Sequence, residues 1–554
     1  MIMKKVLCFL LCVSLLLPCL CMGVSAQGGM TYYIDSMDGD DSARGTGERS
    51  AWRTVRNLET LALQKGDKVL FRRDGIYNVN CLTLTCKGTA ENPIVISAYG
   101  EGAKPLLTTN KRTDILHLLD CSYVTVSDLE MTAHNGGGIW IYTQNEESNG
   151  VKLDNLTIHD IQNYKVTTRD SQANPTEARA CVVVKNLCYP AQSLYRVNDF
   201  SMTNCELYDC GNGLLLWGSF TEDSKNPWSE DVDQVSIVYN QNALVENCYF
   251  HDMDAEGMII GMTDNALIRN CRFIDCCQGV GTDENGKVLY YTAPVWYWGG
   301  LRSTVESCEI AGAKNFGDGM AVDFDSWTND CTYQYIYSHD NNCFIVTCPY
   351  GTGQSGNTVR YCLSVDDNVC RNSISTGEKN FSFYNNTIIN SSNFVLNGIR
   401  DSVFANNIIV GDLKTDFFWT RKAVDEQTGE SFRKEFTGIF ANNCLWGTGV
   451  PTCAEKTFVC APGFVGTDKT NPDCFKLAQN SPLLGKGMTL ENMGETDFYG
   501  NALTQSHNIG CYDGAGENTK APLRPFDSLF RLVNTALGTL YQWVQELVNR
   551  YWLF

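Results

Sequence analysis

Proline is scarce in this chain, 14 among 554 residues, and histidine is scarcer still at six. Basic residues are outnumbered, 43 Lys and Arg against 63 Asp and Glu, for a formal charge of −20. Low proline without a Gly-x-y period excludes collagen-like and low-complexity chains. The shortage of positive charge argues against nucleic acid as a partner, because phosphate binding needs a basic surface. An anionic ligand would need a bridging cation. Beyond residue 20 no apolar run is long enough to span a bilayer as a helix. Also missing are a P-loop, a dinucleotide fingerprint, a Gly-x-Ser-x-Gly elbow and zinc-finger Cys/His spacing.

What is present begins with a leader. Lys4 and Lys5 precede an apolar run from Val6 to Leu20, and Val24-Ser25-Ala26 supplies the small residues of a cleavage site. Residues 1–26 therefore read as a signal peptide, and the mature chain as secreted or held at the cell surface. Removing the leader takes Lys4, Lys5, Cys8, Cys12, Cys19 and Cys21, and leaves 22 cysteines and a charge of −22. So many cysteines in an exported chain ordinarily signal disulfides. Their placement within a repeat argues for another role.

The repeat is Asn, a small or apolar residue, a variable residue and an apolar one. It starts at Asn155, Asn204, Asn247, Asn270, Asn385, Asn406 and Asn442, with weaker copies at Asp128, Ser307, Gln334 and Arg360. Several copies lie 21 to 27 residues apart, the length of one bare coil of a parallel β-helix, and longer intervals carry loops. A second strand follows Gly138, Gly213, Gly257, Gly279 and Gly319. Coils stacked about 4.8 Å apart bury one continuous core and turn the recurring Asn into an internal ladder. Cys205, Cys248, Cys271 and Cys308 then share one inward position as small reduced hydrophobes, since stacked neighbours rarely meet disulfide geometry. Cys276 with Cys277, or Cys453 with Cys460, are left as pairs that could bridge.

On these residues the chain resembles the right-handed parallel β-helix proteins of the pectin-lyase-like superfamily. Tyr32-Tyr33-Ile34-Asp35, Asp38 to Asp41 and Trp52-Arg53-Thr54 resemble the N-terminal cap and first coils of secreted bacterial carbohydrate-active members. Within that resemblance, Ser50 to Lys65 is expected as the helix that plugs the open core, with Ser50 as N-cap and Gly66 beyond its end. The fold class is all-β, a right-handed parallel β-helix over 27–515. A linker at 516–526 and an amphipathic helix at 527–554 follow. Phe530, Val533, Leu537, Leu540, Val544 and Leu547 recur at helical spacing, so this helix is expected to pack on the solenoid, self-associate or attach to a surface.

Insertions mark the binding face of a solenoid. Loops within about 162–180, 219–234, 284–300 and 411–436 wall a groove floored by about 311–367, where Trp296 and Trp298 offer faces for sugar rings. The sharpest constellation is Gly317 to Asp325. With Val322 and Phe324 inward, Asp323 and Asp325 point outward together, and aligning Gly279 with Gly319 brings Asp283 one coil below. Such carboxylates either serve as acid, base or nucleophile in glycoside hydrolysis, or bind Ca²⁺ through Asp318, Asp323 and Asp325. His339 joins the catalytic set as base or substrate binder, and Asp340, Arg302 and Lys314 join the substrate-binding set. The favoured function is a secreted polysaccharide-cleaving glycoside hydrolase. The alternatives are a Ca²⁺-dependent pectate-lyase-like lyase, with Lys314, Arg302 or Arg360 as base, and a non-catalytic glycan-binding surface protein. A polysaccharide or oligosaccharide is the partner in each.

Overall fold

The computed structural model describes residues 28–518 except 112, 135, 162–179, 187–194, 221–236, 279–291, 315–317, 349–353, 376–377, 397–398, 415–417, 420–421, 425–430 and 434–435. The leader, most of the linker, the amphipathic tail helix and Asp283 lie outside the described residues. Three parallel sheets of fourteen, thirteen and twelve strands run the length of the chain, each coil giving one strand to each sheet in turn. The fold is a right-handed parallel β-helix.

The corners explain the repeat. Asn155, Asn204, Asn247, Asn270, Asn385, Asn406 and Asn442 all have φ between 50° and 56°, between the fourteen- and thirteen-stranded sheets. That left-handed conformation is costly for most L-residues and mildest for Asn and Asp. The leading Asn is thus a turn residue. Its side chain makes an outer ladder, as where Asn204 Nδ2 donates to Asp154 Oδ1 at 2.8 Å. The internal ladder sits one residue later. Asn386 N–H donates to Asn407 Oδ1 at 3.0 Å, and Asn407 N–H donates to Asn443 Oδ1 at 2.9 Å. Cys205, Cys248, Cys271 and Cys308 occupy this same position, each thiol donating to the carbonyl two residues before it.

Two weak copies are out of register by one. Tyr335 and Tyr361, not Gln334 and Arg360, hold the left-handed corner, with φ of 57° and 50°. The inward residues are consequently Ser338 and Ser364, paired through Ile310↔Ser338 and Ser338↔Ser364. Both hydroxyls donate to Asp367 Oδ2, a buried carboxylate that also accepts from Asn341 N–H. A polar knot here replaces the apolar residue that the repeat predicts.

The core is otherwise a column of stacked side chains. Phe404 lies 4.7 Å from Phe383 and 4.8 Å from Phe440, close to the coil spacing. At the N-terminal end the expected helix over Ser50–Lys65 is replaced by two 3₁₀ turns, Glu48–Ser50 and Val55–Thr60, the second capped by Thr54. Trp52 accounts for the difference. It bridges to Ile34 and stacks on Tyr32, pinning the backbone where the helix would begin. Val55, Leu58 and Leu63 still cover the open core.

At the other end the chain turns back along the flank. Asn385 Nδ2 donates to the carbonyls of Asn508 and Gly510, and Asn406 Nδ2 to that of Met488. Glu517, placed by the sequence in the linker, hydrogen-bonds Leu477 and Gln479 through its backbone and forms an ion pair with Lys476. Arg360 serves this packing too, donating to Gln334 Oε1 at 2.8 Å and to the Asn492 carbonyl.

One buried acid inside the solenoid predicts a pH effect. Glu378 is fully buried, accepts from Gln354 Nε2 at 2.9 Å, and burial pushes its carboxyl up to about 8. A raised acid favours folding fully below its unfolded value and loses that contribution as pH rises through the folded one. Glu378→Gln is therefore expected to match the parent in melting experiments at pH 5. At pH 9 it should be more stable by roughly 3–5 kcal/mol.

Candidate active site

The outward face of the twelve-stranded sheet carries a cluster of carboxylates. Strand Met320–Asp325 places Ala321, Val322 and Phe324 in the core. Alternation then turns Asp323 and Asp325 outward, as the sequence predicts. On the coil above, Asp323 pairs with Val346 and Asp325 with Cys348. On the coil below, Tyr297 pairs with Phe324, which sets Trp296 beside Asp323 and Trp298 beside Asp325.

Tyr297–Phe324 is a single ladder pair between the site strand and Val295–Trp298, whereas Val295–Trp298 pairs through four residues with the strand before it. The inner side makes up the loss. Tyr333 Oη donates to the carbonyls of Val295 at 2.9 Å and Asp323 at 3.2 Å, and Gln354 Nε2 donates to that of Phe324 at 3.2 Å. The site strand is thus fastened from within the core.

Asp318 reaches the same cluster through a glycine turn. Gly319 has φ +82°, and a Cβ there would lie 3.0 Å from both the Ala313 carbonyl oxygen and Asn342 Nδ2. Asn342 Nδ2 donates to the Asp318 carbonyl at 2.6 Å. Beside the turn, Ala293, Met320 and Cys343 form an apolar cluster with Trp296, Val346 and Cys370 packed on it.

These surroundings set the protonation states. Burial pushes the Asp318 carboxyl up to about 6. Asp325 rises to about 7 through burial and the charge of Asp318, against a lowering hydrogen bond from the Cys348 thiol. Asp323, 7% exposed, is held well above the carboxylate range by burial and by its neighbours Asp325 and Asp318. Burial and mutual repulsion therefore bias all three carboxyls toward their neutral forms. The Oδ1 atoms of Asp323 and Asp325 and the indole N–H of Trp296 are buried without a hydrogen-bond partner among the described residues. Orphaned polar atoms of this kind suit a hydroxyl-rich ligand.

Other residues expected at the site are elsewhere. His339 lies on the thirteen-stranded sheet, around a corner from the acids, where Nδ1 meets Asp340 Oδ2 at 2.8 Å and Nε2 meets Glu309 Oε1 at 3.3 Å. Burial opposes its charge, but Glu309 and Asp340 prevail and raise it. His339 and Asp340 are thus a surface ion pair in place of the catalytic and binding roles assigned from sequence. Arg302 is bound to Asp264 through Nε at 3.0 Å. Lys314 is exposed in the connection before Asp318, with Asp275 in its field. Trp298, 9% exposed, packs on Met262 and Trp327 and meets Trp217 edge-on at 5.1 Å, so it braces the wall. No group of three or more His, Cys, Asp or Glu among the described residues is placed to hold a metal ion. Sequence reasoning missed Cys348, which only the strand register reveals, and considered Asp318 only as a metal ligand.

This is a right-handed parallel β-helix with a desolvated carboxylate cluster on its outer face. No protein-family model matches the sequence. A lacto-N-biosidase from Bifidobacterium longum subsp. longum is 22% identical over 590 aligned positions, taking in 88% of this chain. The alignment covers 36% of that relative, so the chain spans little more than a third of its length. Among solved structures, a GH136 lacto-N-biosidase from Eubacterium ramulus superposes with a TM-score of 0.55 at 20% identity, covering 78% of this chain and 67% of the other. XylC in complex with xylose superposes with a TM-score of 0.50 at 10% identity, over 89% and 99%. Both structural likenesses are to the fold.

The thiol beside Asp325 gives a prediction. A donor to a carboxylate favours its ionised form, so Cys348→Ala should raise the Asp325 value and carry the alkaline limb of any activity profile upward. Cys348→Ser, which keeps a donor, should leave that limb near the parent position. The measurement is kcat/KM against pH.

Proposed function

We propose that this chain is a secreted glycoside hydrolase acting on an oligosaccharide, with Asp325 as proton donor and Asp318 as base or nucleophile. The observation that carries the reading is the desolvated cluster itself: Asp323 and Asp325 turn outward from one strand beside Trp296, Asp318 joins them through the Gly319 turn, and burial raises all three carboxyls. Clustered carboxyls of raised proton affinity can serve as the acid and as the base or nucleophile of glycoside cleavage. Asp325 gives its proton to the leaving glycosidic oxygen as the bond to the anomeric carbon breaks. Asp318 either takes a proton from the attacking water or bonds to that carbon before water releases it. Asp323, next to Asp325 on the same strand, contributes hydrogen bonding. Trp296 offers an indole face and N–H to the sugar.

Two further observations favour hydrolysis over elimination. Arg302 and Arg360, the arginines considered as lyase bases, are engaged with Asp264 and with Gln334 and Asn492. The likeness to lacto-N-biosidases spans most of this chain and makes a lacto-N-bioside the first substrate to try.

Release of reducing sugar from a lacto-N-bioside and an oligosaccharide panel, together with ultraviolet absorbance of unsaturated ends, tests the proposal. Asp325→Asn and Asp318→Asn should each lower kcat by about 10²–10⁴-fold, while Asp323→Asn, which keeps a hydrogen-bonding side chain, should cost much less. Full activity in Asp325→Asn, or an unsaturated product from the parent, would overturn it.

A further inference from the structure

Thiol contacts inside the solenoid fall into three kinds. In the column Cys205, Cys248, Cys271 and Cys308, each sulfur is satisfied by a corner carbonyl of its own coil, at 3.2–3.4 Å. Cys86 and Cys121 lie with their sulfurs 3.8 Å apart, an ordinary contact between two thiols. Cys210 Sγ likewise meets the carbonyl two residues before it, at 2.9 Å from Tyr208 O, but its sulfur also lies 2.8 Å from that of Cys181. That is a full ångström closer than the Cys86 contact, and it approaches the roughly 2.05 Å of a covalent S–S bond.

The positions of the two residues fit a bridge. Cys181 belongs to strand Ala180–Asn186 of the twelve-stranded sheet, and Cys210 ends strand Glu206–Cys210 of the thirteen-stranded sheet on the next coil. They reach across an inner corner, whereas the members of the cysteine column stack one above another. Both side chains lie in the main core, 0% and 2% exposed. We propose that Cys181 and Cys210 form a disulfide when the chain folds in the presence of a low-molecular-weight disulfide oxidant, a modification that locks two consecutive coils together.

The chemistry balances. One cysteine thiolate attacks the oxidant R–S–S–R, forming a mixed disulfide and releasing one R–S–H. The second cysteine attacks the mixed disulfide, the protein S–S bond forms, and a second R–S–H leaves. Two cysteine protons and two electrons pass to the oxidant. Burial of both sulfurs places the exchange before the corner closes and shields the finished bond from reductant. The bond closes a loop between residues 29 apart, so it limits the unfolded chain as well as the folded one. It also fixes a strand of the sheet that carries Asp323 and Asp325 four strands further on. The inference does not depend on the proposed glycosidase activity.

The full chain should be refolded from denaturant in mixed oxidised and reduced glutathione, alkylated in denaturant without reductant, and mapped by peptide mass spectrometry. The expected result is a linked pair of peptides holding Cys181 and Cys210, separated by reductant, with Cys205, Cys248, Cys271 and Cys308 alkylated. The melting temperature should fall on reduction in the parent and stay unchanged in a Cys181→Ala, Cys210→Ala double variant. Complete alkylation of both cysteines in the refolded parent would overturn the proposal, and that result needs no variant to fold.

Discussion

The inter-coil hydrogen-bond ladder is the constraint on which the molecule depends. Each coil must return to the same place about 4.8 Å further along, so every strand inherits the inward and outward alternation of the one below. The corners meet that demand with left-handed residues, which is why Asn and Asp recur there. Once Val322 and Phe324 are fixed in the core, Asp323 and Asp325 have one face left to occupy. The same ladder delivers Trp296 from below and Cys348 from above. No flexible loop is needed to bring these groups together.

Position alone would leave the acids ordinary. Burial against Trp296, Val346 and the cluster around Met320 makes their ionised forms expensive, and the three carboxyls separate in affinity for protons. The folded chain holds this unfavourable arrangement because the rest of the solenoid is well satisfied. Asn386, Asn407 and Asn443 close one corner's hydrogen bonds, and Asp367 is surrounded by donors. Glu378 shows that burial alone does not mark a site. It is raised as well, yet it lies inside the solenoid, bound to Gln354 and out of reach of a ligand.

Much of this was legible in the sequence, and the failures have physical causes. The coil repeat, the inward cysteine column and the outward direction of Asp323 and Asp325 follow from alternation. The register at Tyr335 and Tyr361 did not, because the repeat was sought by an apolar fourth residue and those coils place Ser338 and Ser364 there to bind Asp367. His339 was near the acids along the chain, but a corner separates the two sheets and turns it toward Glu309. The cap helix was plausible from Ser50 and Gly66, and Trp52 prevents it by holding the first strand. Cys181 and Cys210 carry no sequence signal of their nearness, since they stand at different positions in successive coils.

The central claim is that a desolvated pair on the outer face, Asp318 and Asp325, titrates near neutrality. Carbon-13 NMR of the folded protein labelled at aspartate carboxyls, with Asp318→Asn and Asp325→Asn for assignment, measures this directly. Two carboxyl resonances with midpoints well above the ordinary aspartate value, each lost in its own variant, are expected. Midpoints near the ordinary aspartate value of about 4 for both residues would contradict it.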